Sequence, residues 1–302
     1  MMALRLSNTR REALLFYLFI GPALLGFLIF TLGPMVASFY FSFCDYEIVR
    51  PPVWVGLDNY YKMFFVDKLP LHSLGVTAYY SFVGVPLRMV AQFLIALLLN
   101  RALFGRSLFR TLLYLPSIIS GVALSLLWVW LLNPEFGLIN YLLWELFRIQ
   151  GPRWISSPEW VIPALIFMSM WGIGGGIVIC LAGLQGISEE LYEAAELDGA
   201  TGLRKMLHIT IPHMTPVLFF NLVMGIIGSF QVFTQGYVMT GGGPSNASLF
   251  YVLYLYWNAF NYFRMGYASA LAWVLFAIIL AMTALIFRSS SVWVYYEGSV
   301  QM

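Results

Sequence analysis

Hydrophobic positions run along this chain in long blocks, and the polar positions between them gather into short stretches. A helix needs about 20 mostly apolar residues to cross a bilayer. Six blocks meet that length: 14–43, 74–99, 111–132, 161–187, 217–240 and 266–287. The first lies in a charge-free run from Ala13 to Cys44. It is far too long for the h-region of a cleaved signal peptide, and five more blocks follow it. The pattern predicts an all-α integral membrane fold with six transmembrane helices.

One polar stretch breaks the pattern. Segment 186–216 joins the fourth and fifth blocks and reads "SEELYEAAELDGATGLRKMLHITIP" from Ser188 to Pro212, with five of the chain's fourteen acids between Glu189 and Asp198. Ser188 suits a helix N-cap, and Glu189 and Glu190 suit the positive end of the helix dipole. Gly199 supplies a turn that other residues resist. Thr201 then caps a second helix, on which Leu203, Met206, Leu207 and Ile211 form one apolar stripe, and Pro212 and Pro216 end that helix before the fifth span begins. The prediction is a helix, a glycine turn and a helix. Two to eight polar residues suffice to connect two spans. Such a hairpin is either an amphipathic element resting on the membrane or a docking element, with charges that steer and apolar side chains that anchor a soluble partner.

Composition sharpens the membrane reading. The 302 residues are 61% hydrophobic, 18% aromatic and 10% charged, against about 45–50% apolar and about 25% charged in soluble domains. A net charge of +2 is too small to suggest nucleic acid as a partner, and there is no basic run. Six spans put both termini on one side, which holds nine basic residues against six on the other. The positive-inside rule makes that side cytoplasmic, most clearly in the tail with Arg5, Arg10 and Arg11. Cys44 and Cys180 read as inert thiols. The outer segments 44–73, 133–160 and 241–265 are rich in aromatics. The spacing of these residues over 249–265 predicts a helix at the membrane interface, anchoring the protein or meeting an external partner.

The spans hold no Asp, Glu or Lys. A proton-coupled carrier usually needs ionisable groups there. Arg88 is their one charge, twelve residues before Asn100, or about 18 Å along a helix. It is either satisfied by carbonyls, Gln92 or a partner subunit, or it forms a polar wall of a substrate path. No lysine follows glycine, so a P-loop is absent and the chain does not hydrolyse ATP alone. Neither His-Glu-x-x-His nor Gly-x-Ser-x-Gly occurs, and no metal site is read. On span five, Asn221, Gly225, Gly228, Val232 and Gln235 fall within about 40° of one line, with Ser229 beside it. That face suits close helix packing or a watery path. "WGIGGG" from Trp171 to Gly176 permits close backbone approach and local unwinding.

The stretch "EAAELDGATGLRKMLHITIP" resembles the EAA signature of binding-protein-dependent ABC importer permeases. The family pattern is Glu-Ala-Ala, three residues, Gly, nine residues, then Ile-x-Leu-Pro. Glu193, Ala194, Ala195, Gly199, Ile209 and Pro212 match it, and Ile211 replaces the usual leucine. "WVGLDNYYKMF", "NPEFGLINYLL", "MTGGGP" and "NAFNYFRMGYASAL" look like its carbohydrate-uptake branch, of the sugar and glycerol-phosphate type. The resemblance implies a permease domain over 14–287 between cytoplasmic tails 1–13 and 288–302, in a bacterial or archaeal cytoplasmic membrane. Segment 186–216 would be the cytoplasmic coupling-helix hairpin between spans four and five. Glu193 would contact a separate ATPase subunit, Gly199 would keep the bend, and Leu203, Met206 and Leu207 would carry force to the spans. The chain itself would bind no cofactor, ATP and Mg being used by the partner ATPase. Its partners would be a second six-span permease in a heterodimer, two ATPase subunits, an external solute-binding protein and membrane lipid. Trp171, Ser229, Gln231 and Gln235 are the implied sugar contacts, with Arg88 beside them. A stand-alone secondary carrier for a polar solute is the alternative.

Overall fold

The computed structural model describes residues 8–101 and 104–295. Arg5 and the C-terminal tail beyond Tyr295 lie outside the described residues. The chain is mostly helical and divides into two compact units.

The first unit comprises residues up to Val66 and Trp257–Trp273. Its long helix α1 (Leu15–Phe41) is one of the apolar blocks. A small antiparallel ribbon follows, β1 (Cys44–Asp45) with β2 (Val53–Trp54), pairing Cys44 with Trp54 and Asp45 with Val53. The buried Asn59 fastens this end by donating to the carbonyls of Ser42 (3.0 Å) and Cys44 (2.9 Å). Those carbonyls would otherwise lack partners where the helix stops. Trp273 Nε1 donates to Ser38 Oγ at 3.1 Å, and its ring meets Phe39 edge-on at 4.7 Å.

The second unit comprises Asp67–Tyr256 and the described residues from Val274. Its helices are α2 (Leu69–Asn100), α3 (Arg106–Ile118), α4 (Gly121–Leu131), α5 (Leu138–Phe147), α6 (Val161–Ser169), α7 (Gly174–Gln185), α8 (Glu189–Leu197), α9 (Gly202–Phe230), α10 (Tyr251–Tyr256) and the later part of α11 (Met265–Trp293). Helix α2 is central and packs on α7 and α9. Their buried seam includes Ala96, Leu99, Ile177, Cys180, Leu184 and Met214. Lipid is as apolar as leucine, so helices in a bilayer associate through close packing and hydrogen bonds between them rather than through hydrophobic burial. The seam shows both. A Cβ at Gly183 would lie 2.7 Å from Val217, one at Gly225 2.9 Å from Val85, and Asn221 donates to Cys180 Sγ at 3.3 Å.

Four described helices are long and apolar enough to cross a membrane, or six when each of two bent pairs counts as one span. The expected spans are therefore present as apolar segments, but two are broken. The block at 111–132 is α3 and α4, bent by 101°. Pro116 has no N–H for the helix, Ile119 and Ser120 are extended, and the chain restarts at Gly121. The block at 161–187 is α6 and α7, bent by 46° across the glycine-rich stretch. That stretch also lets α7 approach α3: a Cβ at Gly174 would lie 2.5 Å from the Leu113 carbonyl and 2.8 Å from Tyr114 Cα.

The expected stop at Pro212 and Pro216 is corrected. Helix α9 runs from Gly202 through both prolines to Phe230, with a wider π turn over Met206–Thr210. Pro216 cannot donate to the Pro212 carbonyl, so that acceptor is taken by Thr215 Oγ1 at 2.6 Å. A helix-interior proline removes a donor and crowds the carbonyl four residues back; here that carbonyl is satisfied, which lowers the cost of continuing the helix. The fifth span thus begins earlier than 217, and it ends at Phe230 rather than 240.

The aromatic stretch 249–265 also differs from expectation. Leu249, Phe250, Tyr251, Leu253 and Tyr254 are buried. Tyr251 N–H donates to Thr77 Oγ1 at 2.9 Å, Tyr254 donates to Asp67, and Phe250 meets Tyr80 edge-on at 5.2 Å. These side chains pack the protein interior rather than lie along an interface. Only the tail of the stretch, with Phe260, Tyr262 and Phe263, is exposed.

Candidate functional site

Two regions of the second unit carry the chemistry singled out in the sequence. The first is the hairpin. Ser188 adopts an extended N-cap conformation and its hydroxyl accepts from Glu190 N–H at 3.3 Å. Helix α8 ends at Gly199 with φ 75°, where Ala200 N–H reaches Ala195 O (2.8 Å) and Gly199 N–H reaches Glu196 O (3.0 Å). These are the paired 6→1 and 5→2 bonds of a Schellman turn, which needs a left-handed residue at that place. Thr201 stands at the N-cap of α9 but makes no side-chain cap bond.

The two arms are tied side to side. Tyr192 Oη and Thr210 Oγ1 lie 2.9 Å apart, and Lys205 Nζ donates to Glu196 Oε1 at 2.5 Å. That hydrogen bond, then the lysine charge, holds the Glu196 carboxyl below its ordinary range. Away from these ties the hairpin is open. Glu193 and Ala194 are exposed and Ala195 is half-buried. Leu197 is 91% exposed, Leu203 64% and Leu207 50%. Met206, Ile209 and Pro212 are half-buried. The apolar stripe predicted on the second arm therefore splits: Leu203 and Leu207 face outward, while Met206 and Ile211 turn partly inward.

The second region is a cleft of about 530 Å³ between α2, the α3–α4 break, the α6–α7 break and the end of α9. Ser229, Gln231, Gln235 and Arg88, all proposed from sequence, line it. Of the face drawn on span five, Gly225, Gly228, Val232 and Gln235 reach the cleft, whereas Asn221 turns to Cys180. Trp171 does not line it; its ring packs edge-on against Trp128 at 5.5 Å. Sequence reasoning missed Tyr80, Ser117, Ser169 and Thr234. The broken spans carried the available signal: Pro116 and Gly121 flank one break, and Gly172 and Gly174 the other. At such breaks backbone groups are released from helix pairing, which a membrane protein tolerates beside a cavity, while the hydroxyls of Ser117, Ser169 and Ser229 each donate to a carbonyl three residues back.

Among the described residues no Asp or Glu lines the cleft. Its walls mix hydroxyls and amides with the rings of Tyr80 and Phe233. Sugars present apolar C–H faces and many hydroxyls, so rings and amides suit them, and the volume lies in the usual range for small-molecule sites.

Residues 90–296 match the model of a family described as the binding-protein-dependent transport system inner membrane component. The chain belongs to this family. The permease is 44% identical over 294 residues to the probable ABC transporter permease protein YesP of Bacillus subtilis (strain 168), covering 96% of this chain and 95% of that one. It is 32% identical over 278 residues to the trehalose/maltose transport system permease protein MalF of Thermococcus litoralis, covering 90% and 92%. Among solved structures, a chain of a bacterial alginate ABC transporter, in complex with an alginate pentasaccharide-bound periplasmic protein, matches with a TM-score of 0.82. That match covers 95% of this permease and 97% of the other chain at 24% identity, a likeness of fold.

The hairpin and the cleft of the permease are joined by one element. Helix α9 starts at the glycine turn and ends in the cleft wall, and Gly202 to Gly228 spans about 39 Å at 1.5 Å per residue. The expectation of two separate helices hid this link.

Proposed function

We propose that the permease forms one half of a heterodimeric, ATP-driven importer for a sugar or related solute delivered by an external binding protein. In this reading the chain crosses the membrane six times, the broken pairs each counting once, with both termini and the hairpin in the cytoplasm. Glu193, Ala194 and the exposed Leu197, Leu203 and Leu207 seat in a separate ATPase subunit, two of which serve the complex. ATP and Mg are used there. When the ATPase subunits close, the hairpins are pushed together. Helix α9 transmits the displacement to the cleft, where Ser229, Gln231 and Gln235 hold the sugar hydroxyls.

The observation that carries this reading is the continuity of α9 from an exposed docking hairpin to an acid-free polar cleft. The names of the relatives support the sugar class, two of them being transport system permeases for trehalose/maltose and arabinooligosaccharides. A stand-alone carrier fits less well, since the cleft offers no carboxylate for proton coupling. The test is reconstitution of the permease with its partner permease, ATPase and binding protein in liposomes. Sugar uptake that requires both ATP and the binding protein supports the reading. Uptake by the permease alone, driven by a proton gradient, overturns it.

A further inference from the structure

Arg88 is the charged residue of the cleft, and the chemistry around it leaves it unmatched. It sits nineteen residues after the start of α2 and twelve before its end, so about 28 Å and 18 Å from the two ends. A guanidinium at such a depth is costly and is kept where it faces a cavity or a partner charge. Arg88 faces a cavity. Its Nη1 donates to Tyr80 Oη at 3.4 Å, and its guanidinium carbon lies 5.6 Å from the centre of the Tyr80 ring. Among the described residues it has no ion pair. A guanidinium carries five N–H donors, so most are left for whatever enters the cleft.

A neutral sugar does not call for this. Gln92, one turn along α2, and Gln231 and Gln235 on the facing wall already offer amide donors without the cost of a half-buried charge. The charge adds something only if an opposite charge arrives with the substrate. A planar guanidinium pairs with carboxylate or phosphate oxygens through two parallel hydrogen bonds, a geometry an amide or a lysine does not reproduce. Tyr80 fits the same role: its ring lies beside the guanidinium and its hydroxyl takes one donor, which limits where the remaining donors point.

We infer that the cleft takes a sugar bearing a fixed negative charge, and that Arg88 is the residue that selects for it. The inference rests on the reading of the cleft as the sugar path. It deepens that reading by naming the substrate class. Tyr80 is the positioning residue, and the amides and hydroxyls of the other walls hold the neutral part of the sugar.

The test is equilibrium binding to the intact complex in nanodiscs, without the external binding protein, so that only the membrane site is read. Two pairs of probes are compared: digalacturonate with its dimethyl ester, and glucose 6-phosphate with glucose. The wild-type complex should bind the acid of at least one pair about tenfold or more tightly than its neutral partner. The pair showing the preference identifies carboxylate or phosphate as the charged group. Arg88→Gln should weaken binding of the acid at least about tenfold more than binding of its neutral partner, so that the preference is lost. Arg88→Lys should keep part of it, the charge being retained and the fork lost. Equal affinity within both pairs, or no binding of any probe, overturns the proposal. So does a preference that survives Arg88→Gln. Loss of the partner permease on purification of Arg88→Gln also overturns it, since the arginine then serves assembly. The importer reading stands or falls separately, on ATP-dependent uptake with the binding protein present.

Discussion

Replacing Gly199 isolates what the hairpin's bend contributes. The residue has φ 75°, and a Cβ built there meets nothing within 4 Å. A substitution therefore creates no clash, and its cost is conformational. For an L-residue the left-handed region costs roughly 1–2 kcal/mol, less for asparagine, and most for a β-branched side chain. About 1 kcal/mol is a roughly fivefold change in the equilibrium constant between bent and unbent hairpin and about 2 kcal/mol roughly thirtyfold, since 1.4 kcal/mol is tenfold. Binding-protein-stimulated ATP hydrolysis of the reconstituted complex should thus fall in the order Gly, Asn, Ala, Val. Gly199→Asn should stay within about threefold of wild type, and Gly199→Val should lose the most, up to about thirtyfold. Membrane insertion, read from the amount of purified complex, should not change, because the turn lies outside the packed seam of α2, α7 and α9. Equal activity of Gly199→Val and wild type would refute the reasoning. So would equal loss for Asn, Ala and Val, which would place the requirement in contact size rather than in backbone conformation.

Two further outcomes follow from particular contacts. Lys205 holds the Glu196 carboxyl below its usual range, so the contribution of this pair is present above the ordinary carboxylate pKa and is lost as pH falls through the lowered value. Hydrogen exchange over residues 189–210, corrected for intrinsic rate, should rise on acidification through and below the ordinary carboxylate range, and Lys205→Met should abolish that dependence; an unchanged profile in the variant would contradict the assignment. Gly174→Val would force side-chain atoms against the backbone of Leu113 and Tyr114, a strain of about 1–3 kcal/mol. The thermal midpoint in detergent should drop by several degrees, whereas an unchanged midpoint would show that α3 and α7 yield without cost.

What was legible in the sequence was local or compositional. The hairpin could be read because capping by Ser188, the turn at Gly199 and the helical residues between them act over a few positions. The apolar blocks could be read because a bilayer demands them. The breaks within two spans could not, since hydropathy averages over a window and does not register Ile119 and Ser120 leaving the helix. The continuity of α9 was hidden for a related reason. Whether Pro216 ends a helix depends on the fate of the Pro212 carbonyl, and Thr215 settles that in three dimensions. The burial of Phe250 and Tyr251 illustrates a general ambiguity of membrane proteins. An aromatic face suits the headgroup region and the protein interior alike, and only tertiary contacts such as that with Thr77 decide. In the cleft, residues of span five were found because one helix face lines it. Tyr80 and Ser117 were missed because they come from other helices, and Trp171 does not line the cleft because its ring turns to Trp128.

The central claim is that the hairpin is where this membrane chain receives work from an ATPase, and a cross-link reads that contact directly. Cys44 and Cys180 are buried, so a single cysteine introduced as Glu193→Cys is the accessible thiol among the described residues. In the complex purified with its ATPase subunit, a short bifunctional thiol-to-amine reagent should join the two chains through residue 193. A control cysteine at the exposed Phe136, on the loop before α5, should not react with the ATPase. Cross-linking from Phe136→Cys with none from Glu193→Cys would place the ATPase on the other side of the membrane from the hairpin and contradict the account.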